Sequence, residues 1–154
     1  MAQDADDLLV YMVGHGGEGT FRMNSTELLQ AADLDNWLDE AQENISGTLS
    51  IVYDASGSGS FIPLLSSPEK ERIIITSCSA DEKSFFALDG TLSFSYLFWY
   101  DILSGKSVAD SVVYAEQNIN SVYRQTPQID ADSDGIANER SEERRVGNEV
   151  SSPV

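Results

Sequence analysis

Residues 8–21 read LLVYMVGHGGEGTF. Leu8–Val13 is apolar and β-rich and runs into a cluster of glycines, the pattern of a buried strand. A second such run, residues 48–53 (TLSIVY), leads straight into Asp54-Ala55-Ser56-Gly57-Ser58-Gly59. A third, residues 72–77 (RIIITS), follows. Between the first two, residues 20–23 and 27–30 flank Asn24-Ser25-Thr26 and predict a small hairpin. Leu34, Trp37, Leu38, Ala41 and Ile45 then recur at helical spacing, predicting an amphipathic helix over 32–45 that stops near Gly47. After the third strand come a loop over 79–90 and an aromatic helix over 92–103 (LSFSYLFWYDIL). A last helix opens at Ser107 with Asp110 at capping distance and carries Val108, Val112, Ala115, Ile119 and Val122 on one face. Strands alternating with helices imply an α/β fold: a mainly parallel sheet with helices on both faces. Sites in such sheets form beyond the carboxyl ends of the strands, and His15 and Ser56 both lie just past strand ends.

Composition narrows the partners. The chain has 154 residues, one domain's worth, with 9 Lys plus Arg against 26 Asp plus Glu and a net charge of −17. A surface that negative repels phosphate backbones and anionic membranes, so neither nucleic acid nor a membrane surface is expected as a partner. It suits divalent cations or basic peptide segments. No apolar run approaches the roughly 18 residues of a membrane span, so no membrane insertion is expected. Residues 1–10 (MAQDADDLLV) lack the cationic start and apolar core of a signal peptide. The single cysteine, Cys78, cannot form an internal disulfide or a zinc cluster. It follows an apolar strand and is expected to be buried.

Three motifs bear on chemistry. Gly14-His15-Gly16-Gly17-Glu18-Gly19 has the letters of a dinucleotide-binding loop, but such a loop must open a helix at its third glycine. Here Gly19 leads into TFRM, a strand, so dinucleotide binding is not expected. His15, the only histidine, sits instead among glycines that let a ligand approach the backbone and expose N–H groups. There it can serve as a general base beside an oxyanion site. Asp54-Ala55-Ser56-Gly57-Ser58 is not a serine-hydrolase elbow, since no glycine lies two residues before Ser56 or Ser58. A serine-type hydrolase using Ser56 with His15 remains a minor alternative.

The segments LLVYMVGHGGEGTF, LSIVYDASGSGSF and RIIITSCSADE together resemble the caspase–legumain–gingipain group of cysteine peptidases, most closely its legumain-like branch. The resemblance covers residues 6–123. It implies a partial caspase-like fold and peptide-bond hydrolysis by a His/Cys dyad, with a peptide or protein substrate and no cofactor for catalysis. By this resemblance His15 is the catalytic histidine and residue 56 the nucleophile. The N–H groups of Gly16 and residue 56 form the oxyanion hole. Asp54 lines the pocket for the residue before the cut, with Asp81 and Ser84 in another wall. A carboxylate at Asp54 suggests a basic or Asn residue at that substrate position.

Two departures stand out. Position 56 is Ser where the family has Cys. A thiol with a pKa near 8.5 supplies some thiolate at neutral pH, whereas a serine hydroxyl supplies essentially none and needs a well-aligned base. The chain as written is therefore expected to be inactive or nearly so, or else a natural non-catalytic peptide-binding module in a larger calcium-dependent extracellular protein. The family also has strands before the His strand, and few residues precede Leu8 here. The expectation is a fragment, 1–126, without its N-terminal strands.

Asp130-Ala131-Asp132-Ser133-Asp134-Gly135-Ile136 carries the first half of a D-x-D-x-D-G calcium loop, with Ile136 at the backbone-carbonyl position. The bidentate Glu of a full loop is absent, since position 141 is Ser. Residues 127–139 are thus expected to be an acidic linker or a calcium loop, with calcium a possible ligand over 130–138. Residues 140–147 (RSEERRVG) resemble the in-frame translation of a sequencing adapter, which makes 140–154 an expected non-natural tail. Removing it takes away three Arg and three Glu, so the charge argument stands.

Overall fold

The computed structural model describes residues 6–138. Leu8–Val13 forms β1, Gly16–Gly17 β2, Thr20–Arg22 β3, Leu28–Gln30 β4 and Ala31–Gln42 α1. Leu49–Asp54 forms β5, followed by a 3-10 turn at Ser58–Phe61 and the short α2, Ile62–Leu65. Arg72–Thr76 is β6, Phe94–Leu103 α3, Val108–Asn120 α4 and Gln128–Asp130 β7. The main sheet has the order β1-β5-β6-β7, and β2-β3-β4 form a small antiparallel sheet. The pairings β1–β5 and β5–β6 are parallel, while β7 runs antiparallel to β6. This is the expected α/β architecture, consistent with a partial caspase-like fold.

Alternation along the strands builds two cores. Leu49, Ile51 and Tyr53 of β5 and Ile74 of β6 face one way, onto Leu34 and Leu38 of α1 and Ile62 and Leu65 of α2. Val52 and Ile75 face the other way, onto Phe94, Leu97 and Phe98 of α3 and Val112, Ala115 and Ile119 of α4. The period of two therefore assigns Asp54 to the α3 face and Tyr53 to the α1 face. At the sheet edge, β1 buries Leu8, Val10 and Met12 partly against the first core, while Leu9, Tyr11 and Val13 stay exposed.

Several boundaries shift for identifiable reasons. α1 begins at Ala31 and buries Ala31, Leu34 and Leu38, whereas Trp37 is 57% exposed. α3 starts two residues later than expected because Ser93 caps it, its hydroxyl accepting the Tyr96 N–H. α4 is capped as expected, with Ser107 Oγ accepting the Asp110 N–H. It ends at Asn120, leaving Val122 exposed. The hairpin turn closes on Asn24 Oδ1, which accepts the N–H groups of Thr26 and Glu27. Residues 128–130, assigned from sequence to a linker or calcium loop, are a sheet strand with Ile129 buried. The adapter-like residues 140–154 lie outside the described residues.

Candidate active site

The His15 and Ser56 loops leave the sheet side by side. In the parallel register Val13 lies opposite Asp54, and the Gly14 N–H donates to Asp54 O at 3.1 Å. His15 and Ser56 are each two residues past this pair. The two loops then pack backbone to backbone. A Cβ on Gly16 would stand 2.7 Å from Ser56 O and 2.8 Å from Ala55 Cβ, and Gly17 C lies 3.3 Å from where a Gly57 Cβ would be. Only glycine permits this approach. Gly16→Ala is expected to cost about 1–3 kcal/mol by overpacking, read as a lower urea midpoint. Gly17→Ala, whose nearest contact is the movable Thr20 hydroxyl at 3.2 Å, should cost less than about 1 kcal/mol. Equal losses at the two sites would refute the backbone-contact argument.

Hydrogen bonding orients the Gly16 amide. The Arg22 N–H donates to His15 O at 2.9 Å, making 15 and 22 a bonded pair. Gly16, opposite Phe21, then falls in the non-bonded class of an antiparallel ladder, and its N–H turns away from β3. His15 is exposed and lines a groove of about 370 Å³ with Gly16, Gly17, Thr20, Arg22 and Leu28. Ser56 is half-buried, and its Oγ accepts the Ser84 N–H at 3.2 Å. The turn after it is held by Gly57 at φ +70°, with its N–H donating to Glu82 O at 2.9 Å.

Asp54 is placed differently from the expectation. It is fully buried. One carboxylate oxygen accepts the Ser84 hydroxyl at 2.5 Å. The other accepts the Ser95 N–H at 3.0 Å and the Ser95 hydroxyl at 2.6 Å. Ser95 lies in the first turn of α3, where backbone N–H groups have no partner within the helix. Asp54 therefore fastens that helix and the Ser84 loop to the end of β5 and presents no free oxygen to a substrate side chain. The expected preference for a basic or Asn residue before the cut loses its physical basis. Ser84 does stand beside Asp54 and Ser56, while Asp81 is exposed and accepts only the Ser79 hydroxyl at 3.0 Å.

The profile of the Peptidase C13 family matches residues 1–141. The chain belongs to that family. No curated protein matches it. Membership makes this a legumain-like, cysteine-type peptidase domain, a hydrolase class whose substrates are peptides or proteins.

Within this C13 domain, two supporting residues escaped sequence reasoning. Glu82 carries the carbonyl that holds Gly57, and its carboxylate accepts the Thr126 N–H at 2.7 Å and the Ser79 N–H at 3.3 Å. Burial opposes its charge, but hydrogen bonds from Thr126 and Ser79 prevail and hold the carboxyl below its ordinary value. Burial and then the Glu82 charge push Glu116 up. Gln125, fully buried, donates to Ser77 O at 2.8 Å and accepts the Phe85 N–H at 3.0 Å. Both are polar residues in loops, and no periodicity marks them. Cys78 is buried beneath the Ser56 loop, its Sγ 3.3 Å from Ala55 O.

The carboxylates of Asp130, Asp132 and Asp134 converge, with ligand atoms within 4.8 Å of one another. Gly135 turns the loop at φ +83°. Asp130 already accepts the Ser66 hydroxyl at 2.5 Å and the N–H groups of Ser133 at 2.8 Å and Gly135 at 3.0 Å. The Ile136 N–H donates to Asp134 at 2.7 Å. The donor set suits a hard cation, with part of its capacity already used by the protein.

Proposed function

We propose that this C13 domain keeps the peptide-binding and positioning parts of a cysteine peptidase but cleaves peptide bonds slowly or not at all, because Ser occupies the nucleophile position at residue 56. The observation that carries the proposal is the matched register of β1 and β5, which sets His15 and Ser56 on one edge beyond parallel strands. In the reaction so assigned, the residue 56 side chain attacks the scissile carbonyl. The Gly16 and residue 56 N–H groups stabilise the oxyanion, and His15 passes the proton to the leaving amine. A serine hydroxyl is a weak nucleophile without a well-aligned base, and here its oxygen also accepts the Ser84 N–H. The test is Ser56→Cys. Gain of thiol-dependent cleavage supports the assignment, and no gain sinks it.

The second reading is a natural peptide-binding module that works without cleavage, in a larger calcium-dependent extracellular protein. The open groove beside His15 favours it. Its calcium component rests on the convergent carboxylates of residues 130–134. With three carboxylates and no bidentate Glu, affinity should be that of weak extracellular sites, with Kd on the order of 1 mM. At 10 mM calcium such a site adds about 1.4 kcal/mol of stability, a melting-temperature rise of about 4 °C. Asp132→Asn should remove most of that rise. No calcium-dependent shift in the unsubstituted chain would eliminate the site.

A further inference from the structure

We infer that Arg22 forms a carboxylate-binding subsite on the leaving-group side of the groove, an assignment that rests on the proposed roles of residue 56 and His15. A histidine that protonates the leaving amine must stand on the side where the departing chain lies. The strand beside His15 is β3, joined to it by the Arg22 N–H to His15 O bond of 2.9 Å.

The hairpin is anchored to the body of the domain. Tyr53 donates its hydroxyl proton to Thr20 O at 3.1 Å, and the Gly19 N–H donates to Ser60 Oγ at 2.9 Å. Phe21 packs its ring edge against Tyr53, with centroids 5.6 Å apart. Strand alternation then sends Arg22 to the opposite face, where it lines the groove with His15 and with Leu28, its cross-strand partner.

Charge bears on Arg22 as well. Among the described residues Lys70, Arg72 and Arg124 are ion-paired, whereas Arg22, Lys83 and Lys106 have no salt bridge, and of these three only Arg22 lines the groove beside His15. An unpaired guanidinium at the groove of a chain of net charge −17 runs against the overall field. Its forked donors match a carboxylate in two parallel bonds. The exposed Leu28 beside it offers an apolar shelf for the methylenes of a glutamate side chain. A chain-terminal carboxylate has the same chemistry.

The experiment uses the whole chain with Ser56 in place, so that peptides bind with little turnover. Acetylated octapeptides carry Glu, Gln or Lys at each position in turn, as C-terminal amides and as free acids, and affinity is read by competition in fluorescence polarisation. At one position in the amide series, Glu is expected to bind about tenfold tighter than Gln. Arg22→Gln should level that preference, Arg22→Glu should turn it towards Lys, and Arg22→Lys should keep part of it. Affinity changes at the other positions should stay as in the parent, which reports an intact fold. If instead the free acids outbind the amides in an Arg22-dependent way, the subsite stands with a chain terminus as its ligand. Binding with no carboxylate preference, or with one that survives Arg22→Gln, overturns the subsite alone. Absence of binding by every peptide overturns the peptide-groove reading along with it.

Discussion

Ser56→Cys is expected to raise peptide-bond cleavage by about 10³-fold or more, the scale on which removing a nucleophile silences a hydrolase. The reason is the population of the attacking species. At pH 7 a thiol with a pKa near 8.5 is a few per cent thiolate, while a serine hydroxyl is essentially all protonated. The substitution is also small in space. Residue 56 is half-buried in a loop fixed independently by Gly57, Glu82 and the glycines of the His15 loop, so the larger sulfur can be taken up without rebuilding the turn. The gained activity should be blocked by a thiol alkylator and should rise with pH as the thiol ionises. It should be lost again in the Ser56→Cys, His15→Ala double variant. Activity that survives loss of His15 would mean another group serves as proton carrier.

Arg72→Leu is expected to destabilise the domain by about 3 kcal/mol, because it removes a buried cation's charged hydrogen bonds and leaves the buried Leu65 O without its donor. The Arg72 side chain is fully buried in a sheet strand, and its guanidinium makes four hydrogen bonds. One nitrogen donates to Asp35 and to Leu65 O, at 2.5 and 2.8 Å, and the others to Asp39 and Gln42, at 2.5 and 2.6 Å. These bonds tie β6 to α1 and to the end of α2. The carboxylates are partly exposed, at 34% and 43%, and regain water when the cation goes. Leu65 O, which is buried, loses its donor, and with the lost charged hydrogen bonds this sets the size of the loss. Total stability for a domain of this kind is about 5–15 kcal/mol, so the shift in urea midpoint should be large. The exposed pair Lys70–Asp39, at 3.3 Å, gives the contrast: Lys70→Ala should cost less than about 1 kcal/mol. A similarly small loss at Arg72 would overturn the network argument.

The strand and helix order, and the placement of His15 and Ser56 at strand ends, were legible in the chain itself. They rest on local signals: apolar runs of strand length, helical periodicity, glycines after strands and capping serines, each read within a few residues. The family resemblance was legible for the same reason, being carried by short segments at strand ends. Non-local pairing was not legible. β7 is three residues long, too short to announce itself beside an acidic motif, and it exists because Ile129 and Asp130 find β6. Asp54 reads locally as a pocket carboxylate, yet its partners Ser84 and Ser95 lie 30 and 41 positions away. Arg22 reads as one more surface cation until β3 is seen beside His15. The sequence alone determined which residues are apolar and at what period, and therefore the layers of the fold and the edge on which the site sits. Only the tertiary structure decided which polar groups are satisfied and which stay open, because hydrogen-bond and charge partners are set by through-space distance after folding, and no period along the chain encodes that.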